Sequence, residues 1–258
     1  MLTSPLKNQK FLVTGASSGI GAATSHLLAQ RGAEVILVAR RLDKLSAMAD
    51  SIRQEVPNAQ LQLLELDVTA PEAIDRLRAA GALDVHGLIN NAGLALGREP
   101  VSTSKWEDAE VMLQVNVNAA LRIAHAMVPG MLARGHGDIL NLCSVAGHWT
   151  YPGGAIYCAS KHALWAFTKA LREETCGKNL RVMQISPGMV ETDFSVVRFG
   201  GDREMAKKVY AGMTPLTPFD IATQILFMLE QPRHVCIDEI VTMPTDQGAP
   251  TTIHRKSL

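Results

Sequence analysis

Short runs of Val, Ile and Leu alternate along the chain with longer segments in which apolar residues recur every three or four positions. The short runs suit strands covered on both faces and the longer segments suit amphipathic helices. The alternation therefore predicts an α/β architecture, a parallel sheet joined by crossover helices. Seven strands are expected, at residues 11–14, 35–39, 61–65, 87–90, 138–142, 181–185 and 239–242. Helix ends are marked as well. The first helix opens on a glycine-rich turn, runs to about residue 31 and is followed by Gly32 as its cap. Thr217-Pro218-Phe219-Asp220 offers an N-cap, a proline at the first position and an acidic third residue, for a helix ending near Gln231 before Pro232. Two long helices, roughly 105–133 and 157–175, carry more apolar residues than one sheet contact needs, notably Leu164, Trp165, Phe167 and Leu171 on the second. Either a subunit interface or ordinary core packing would use that surplus. Residues 244–258 are polar and aperiodic, a tail that is either frayed or held down by another surface.

Composition narrows the class. A chain of 258 residues, 47% apolar and 19% charged, fits one large domain spanning 1–258, and no internal repeat divides it. With 25 basic and 25 acidic side chains the formal net charge is zero, which leaves no global field to draw in nucleic acid or an anionic membrane. Residues 1–10 hold no apolar leader core, and no later stretch reaches the ~18 uninterrupted apolar residues of a membrane span, so a cytoplasmic protein is expected. Cys143, Cys158, Cys176 and Cys236 show neither CxxC pairing nor metal-ligand spacing, and the histidines form no HExxH, so free thiols and no metal are expected.

Candidate chemistry begins directly after the first strand, at Thr14-Gly15-Ala16-Ser17-Ser18-Gly19-Ile20-Gly21. Glycines let a backbone approach a pyrophosphate closely, and a helix start presents unpaired N–H groups and the positive end of its dipole. Gly15, Ser17, Ser18, Gly19, Ile20 and Gly21 are therefore candidate phosphate contacts. Such turns also occur in proteins that bind nothing, and it is the place of this one in an opening βαβ unit that gives it weight. At the end of the second strand a site for NAD would carry an acidic residue for the ribose hydroxyls, but here Ala39 is followed by Arg40 and Arg41. A carboxylate would repel the 2′-phosphate of NADP, whereas guanidinium groups bind it through charge-assisted contacts. NADP(H) is the expected cofactor, held by Arg40 ahead of Arg41; the other reading is a solvated pair opening a helix.

Hydride transfer to a carbonyl leaves an alkoxide that needs a proton, so a titratable hydroxyl must sit beside the nicotinamide. Tyr157 is the candidate. Its phenol would titrate near ~10 in isolation, and a nearby cation lowers that value. Lys161, four residues further along the same helix face, supplies the cation, its ammonium within reach of both the phenol and the cofactor ribose, so that Tyr157 and Lys161 are expected cofactor contacts as well. Ser144, thirteen residues before Tyr157, lies where a strand end can lead back to the helix start, with its hydroxyl toward the substrate oxygen.

The G-x-x-x-G-x-G spacing, Asp67, Asn90-Asn91-Ala92-Gly93, Asn116, Ser144, Tyr157-Cys158-Ala159-Ser160-Lys161 and Ser186-Pro187-Gly188 with Thr192 together resemble the short-chain dehydrogenase/reductase family over nearly the whole chain. The resemblance implies a doubly wound Rossmann-type sheet of order 3-2-1-4-5-6-7 with helices on both faces. It places Asp67 with Val68 at the adenine and Asn90 with the Ala92-Gly93 backbone at the cofactor ribose. Pro187, Gly188, Val190 and Thr192 follow along the cofactor, Thr192 holding the carboxamide. Ser144 would polarise the carbonyl, and Asn116 would close a proton relay through water and Lys161, with Asn118 competing for that match.

Asn90 to Gly97, Tyr151-Pro152-Gly153-Gly154, Glu191 to Phe199 and Met243-Pro244-Thr245 look like the NADP-dependent 3-hydroxy acid dehydrogenases that oxidise serine, allo-threonine and related acids. That subgroup is tetrameric, which implies a homotetramer here. A substrate carboxylate taken out of water needs a paired cation. Arg198 is the candidate, in a segment of about 190–215 where family members place a substrate-covering loop, with Gly200 and Gly201 as its hinge and Lys207 or Lys208 as alternatives. A reductase of another small ketone or aldehyde would read almost the same. An NADP(H)-binding sensor without turnover would be expected to lose the tyrosine or lysine, and both are present.

Overall fold

The computed structural model describes residues 4–256. Seven strands, β1 Lys10–Thr14, β2 Glu34–Ala39, β3 Gln60–Glu65, β4 Gly87–Asn90, β5 Gly137–Leu142, β6 Leu180–Pro187 and β7 Glu239–Thr242, form one parallel sheet. Its order, β3-β2-β1-β4-β5-β6-β7, is the doubly wound one. Each expected strand lies within an observed one. The connections are α1 Gly19–Gln30, α2 Leu42–Glu55, α3 Ala73–Ala79, α4 Trp106–Leu113, α5 Ala120–Arg134, α6 Ala155–Glu174, α7 Asp193–Arg198, α8 Arg203–Tyr210 and α9 Pro218–Leu229.

Successive strand residues point to opposite faces, so the sheet feeds two cores. Phe11, Val13, Val35 and Leu37 pack against Leu28 of α1, Leu45 of α2 and Ile221 and Ile225 of α9. Leu12, Ile36, Leu88 and Ile139 pack on the other side against Leu77 of α3, Ile123 and Met127 of α5 and Leu171 of α6. Each such side chain, fully buried, stabilises the fold by roughly 1.5–3 kcal/mol relative to leaving it in water. The edge strands β3 and β7 are only half-buried, because each has one neighbour.

Helix ends follow their local signals. Gly32 takes φ 77° after α1, with its own N–H on Ala29 O and that of Ala33 on Leu28 O. At α9 the Thr217 hydroxyl accepts from Asp220 N–H while the Asp220 carboxylate accepts from Thr217 N–H, a reciprocal cap behind Pro218. The expected helix over 105–133 is a continuous run, Trp106–Arg134, but Gln114–Ala119 is wound as a π-helix. This run is long and apolar enough by composition to cross a membrane; here Ile123, Ala124, Met127 and Met131 pack on the sheet, and Arg134 bonds Asp84 and Val85 O.

Two open alternatives are decided and one expectation changes. The apolar surplus on the helix of Tyr157 is largely core, since Leu164 and Leu171 are buried; exposed apolar side chains include Trp106, Val111 and Leu132 on α4–α5, Phe219 and Phe227 on α9 and Val241 on β7, with others on α2, α7, α8 and the loops. Residues 190–215 are not an open loop but two short helices, α7 and α8, joined through Gly200 and Gly201 at φ 61° and 99°. The polar tail is held down by this chain itself. Lys256 N–H donates to Gly212 O, the Arg255 guanidinium bonds the Val209 and Ala211 carbonyls, and the Gln247 amide oxygen accepts from Met189 N–H at 2.8 Å.

Candidate active site

The C-terminal ends of the strands open on two cavities of about 340 and 440 Å³. Ile20, Asn91, Gly93, Leu142, Thr192 and Phe194 line both, so the two form one groove.

Gly15, Ser17, Ser18, Gly19 and Ile20 wall the smaller cavity. Ser18 precedes α1 in extended conformation with no side-chain cap, so the first N–H groups of the helix are left to an anion. Gly21 stands behind this wall. A Cβ there would lie 2.4 Å from Gly15 O and 2.5 Å from Asn91 Nδ2, so the turn can close on itself only around a glycine. Asn91, to which the sequence assigned no role, braces the turn by donating to Thr14 O at 2.8 Å, while Thr14 Oγ1 accepts from the Asn91 and Ala92 N–H groups at 2.9 Å. Asn90 is the correction. It is the last residue of β4 and points the other way from Asn91, into the core, where its Nδ2 donates to Ala120 O at 2.9 Å and Asn141 Oδ1 at 3.1 Å. Its side chain ties β4 to α5 and β5 and does not line the groove.

Ala92, Gly93, Asp67 and Val68 do line it. Burial opposes ionisation of Asp67, but the Thr69 hydroxyl and amide and the Arg40 guanidinium outweigh it and hold its carboxyl below the usual value. Arg40 and Arg41 stand at the same cavity with Lys44 and Arg203. Sequence reasoning missed the last two. Lys44 was findable, four positions after Arg40 in the first turn of α2. Arg203 arrives through the tertiary fold, and nothing local to it carries a signal.

Ser144, Tyr157, Lys161, Pro187, Gly188, Val190, Thr192 and Arg198 are brought together around the larger cavity. Ser144 caps a 3-10 turn, Val145–Gly147, accepting from Ala146 N–H at 3.1 Å and donating to Pro187 O at 3.5 Å. Tyr157 lies in the first turn of α6, which begins two residues earlier than expected, and Lys161 follows one turn on with Nζ 2.9 Å from Leu142 O and 6.0 Å from the phenol ring centre. Burial pushes the Tyr157 phenol above its ordinary value, against the Ser144 hydroxyl and the Arg198 guanidinium, which pull it down. Lys161 is itself buried, which pulls its ammonium below the ordinary lysine value, and its charge is directed at a backbone carbonyl.

Asn116 sits in the π-helical turn, buried, and off the cavity wall. Its Oδ1 accepts from Leu94 N–H at 2.8 Å, and its Nδ2 donates to Leu94 O at 2.8 Å and Ser160 Oγ at 3.0 Å. The side chain thus clamps the segment after β4 to α6. Asn118 faces outward to Gln114. Arg198 reaches into the cavity from α7, with Nε 3.0 Å from Gly97 O, Nη1 3.2 Å from Tyr151 Oη, and its guanidinium carbon 5.8 Å from the Tyr157 ring centre. Lys208 lies at the same cavity, whereas Lys207 pairs with Glu204 at the surface. Gln247, Ile253 and Arg255 of the tail complete the wall, and the sequence marked none of them.

A family model described as short chain dehydrogenase matches residues 9–199. The NADP-dependent 3-hydroxy acid dehydrogenase of Schizosaccharomyces pombe is 41% identical over 98% of this chain and 99% of its own length. The serine 3-dehydrogenase of Agrobacterium fabrum is 37% identical over 95% and 98%, and the sulfoacetaldehyde reductase of Chromohalobacter salexigens 37% over 92% and 94%. Among solved structures, the closed form of a serine dehydrogenase complexed with NADP+ superposes with a TM-score of 0.89 at 36% identity, covering 96% of this chain and all of that one. By fold, by groove and by these relatives, the chain belongs to the short-chain dehydrogenase family.

Proposed function

We propose that the protein is an NADP(H)-dependent oxidoreductase that moves a hydride between the nicotinamide and the hydroxyl-bearing carbon of a small 3-hydroxy acid such as serine or allo-threonine. The observation that carries the substrate class is Arg198, a cation held in the same cavity as Tyr157 and Ser144. Three of its five N–H donors are engaged, by Gly97 O, Tyr151 Oη and Gly153 O, which leaves two for a carboxylate. The uncapped start of α1, the crowding behind Gly21 and the cations Arg40, Arg41 and Lys44 fit a dinucleotide with a 2′-phosphate.

The bound cofactor supplies or takes up the hydride. Tyr157 holds the transferable proton at Oη and gives it to the substrate oxygen in reduction, or takes it in oxidation. Ser144 Oγ donates a hydrogen bond to that oxygen. Lys161 holds its ammonium 6.0 Å from the centre of the phenol ring, and Asn116 keeps the neighbouring backbone in register. Arg198 orients the acid, and α7 with the tail shields the site from water.

A second reading, reductase of a small anionic aldehyde, draws on the relative named sulfoacetaldehyde reductase and on the same arginine, which would hold a sulfonate as readily. A panel following NADPH absorbance, with 3-hydroxy acids in one direction and small aldehydes and ketones in the other, separates the two. Arg198→Ala is expected to raise KM for the acid at least ~10-fold while leaving an uncharged alcohol nearly unchanged. Parallel losses on both would overturn the carboxylate role.

The single domain, 1–258, would assemble as a homotetramer. Its support is the exposed apolar side chains Trp106, Val111 and Leu132 on α4–α5 and Phe219, Phe227 and Val241 on α9 and β7, since two different two-fold contacts close a tetramer. A cytoplasmic location agrees with four unpaired cysteines.

A further inference from the structure

Behind the Ser144 turn lies a charged cluster that the chemistry above does not use. Glu239 of β7 is its centre. Its Oε1 accepts from His148 Nε2 at 2.5 Å, from Gln184 Nε2 at 2.7 Å and from Ser186 Oγ at 2.7 Å, while Oε2 lies 3.2 Å from Lys169 Nζ. Lys169 also pairs with Asp238 at 2.7 Å, and Arg172 with Asp238 at 3.1 Å. The carboxylate is largely buried, its side chain 12% exposed, so these donors satisfy a charge that would otherwise be costly in this position.

The four donors come from the turn that carries Ser144, from α6, which carries Tyr157 and Lys161, and from β6, whose Pro187 carbonyl holds Ser144. His148 directly follows the 3-10 turn that Ser144 caps at its start. Ser186 immediately precedes Pro187, whose carbonyl accepts from Ser144 Oγ. Lys169 lies two turns beyond Lys161 on α6. The turn and α6 also meet directly, since a Cβ on Gly147 would stand 3.1 Å from Lys161 O and 2.6 Å from Cys143 Sγ. Ser144 is therefore fixed at the front of its turn by its own cap. At the back, the His148 bond is the side-chain anchor between that turn and the rest of the site.

We propose that His148 and Glu239 are a positioning pair that sets the Ser144 hydroxyl relative to Tyr157 and Lys161. The inference rests on the reading that these three residues perform the proton chemistry, and it requires no particular substrate. Misplacement of a reacting group by about 1 Å can cost up to ~100-fold in rate, so a loosened turn is felt in turnover before it is felt in binding. The pyrophosphate turn is built on the other half of the sheet and does not touch the cluster.

The test compares His148→Ala with His148→Gln, whose amide N–H₂ can still reach the carboxylate, on whichever alcohol or ketone the wild type turns over. For His148→Ala we expect kcat to fall ~10- to ~100-fold, NADPH affinity to stay within about twofold and amide exchange across residues 144–149 to accelerate. His148→Gln should restore most of the rate and slow that exchange again. Three results would overturn the pair: unchanged kcat in the alanine variant, a glutamine variant as slow as alanine, or kcat, NADPH affinity and melting temperature falling together. An alanine variant that does not fold would make His148 a folding residue and would also end the proposal. Exchange is read without substrate, so an error in the substrate assignment leaves this result intact.

Discussion

Tyr157 keeps its proton at neutral pH because burial disfavours the phenolate, and that fixes the sign of the pH response. Reduction uses the protonated form and should hold its rate across neutral pH, falling only in strongly alkaline solution. Oxidation uses the ionised form and should speed up as pH rises. A pH profile of kcat in both directions checks this; reduction that speeds up, or oxidation that slows, as pH rises would exclude Tyr157 as the shared group. Tyr157→Phe should lower kcat by roughly two orders of magnitude or more and leave NADPH affinity unchanged, because acid/base catalysis is lost without a binding contact. At the other end of the groove, Arg40→Ala removes one charge-assisted contact of about 1.5–3 kcal/mol, so NADPH should bind ~10- to ~100-fold more weakly while NADH changes little. Equal weakening of both would show that Arg40 does not read the 2′-phosphate. The identities of Ser144, Tyr157, Lys161 and Arg40 were legible because the chemistry demands those residue types at those spacings. The phenol's upward shift was not, since spacing reports that Lys161 is near and says nothing of how deeply the ring and the ammonium are buried.

Elements were read by period, and period has blind spots. Short apolar runs, several of them continuous, located all seven strands. The π-helical turn at Gln114–Ala119 escaped notice because a single wider turn leaves the apolar spacing of the flanking helices intact. The segments α7 and α8 were read as loop, since six and eight residues are too few to display a helical period. Asn90 was misplaced for a related reason: motif order does not say which of two adjacent asparagines faces the groove, and the strand's alternation decides it. At this scale the sharpest prediction concerns the first βα turn. Gly21→Ala would press a methyl against Gly15 O and Asn91 Nδ2, so the turn must open. Overpacking of this kind typically costs about 1–3 kcal/mol, and the loss should fall on dinucleotide affinity as well as on melting temperature. Calorimetric titration with NADPH reads the first, and wild-type affinity would show that the turn accommodates the methyl.

Across the molecule, stability and activity reside at opposite ends of the sheet. Asp138 near the start of β5 is 1% exposed and receives Arg181 at 2.7 and 2.8 Å and Arg233 at 2.6 Å, while Arg181 also donates to Leu229 O and Gln231 O. This group staples β5, β6 and the end of α9 on the side away from the groove. Asp138→Ala would strand the buried Arg181 guanidinium, at a cost of about 3–5 kcal/mol. At ~2–4 °C per kcal/mol the melting temperature should drop by roughly 6–20 °C, with kcat per folded molecule unchanged. A matching loss of kcat would mean that the two ends of the sheet are coupled. None of this was legible from sequence, where Asp138 reads as a polar residue at a strand start and its partners lie more than forty positions away.

The tail that walls the larger cavity also orders events in time. The phosphate turn, Arg40, Asp67 and Asn91 all emerge from the ribosome early, whereas Gln247, Ile253 and Arg255 emerge more than 150 residues after Asn91. Domains fold on the ribosome from the N-terminal side. A nascent chain thus exposes the pieces of its dinucleotide turn while the wall of the reaction chamber is still being translated. Any polypeptide fused behind Arg255 would be anchored beside that chamber's mouth.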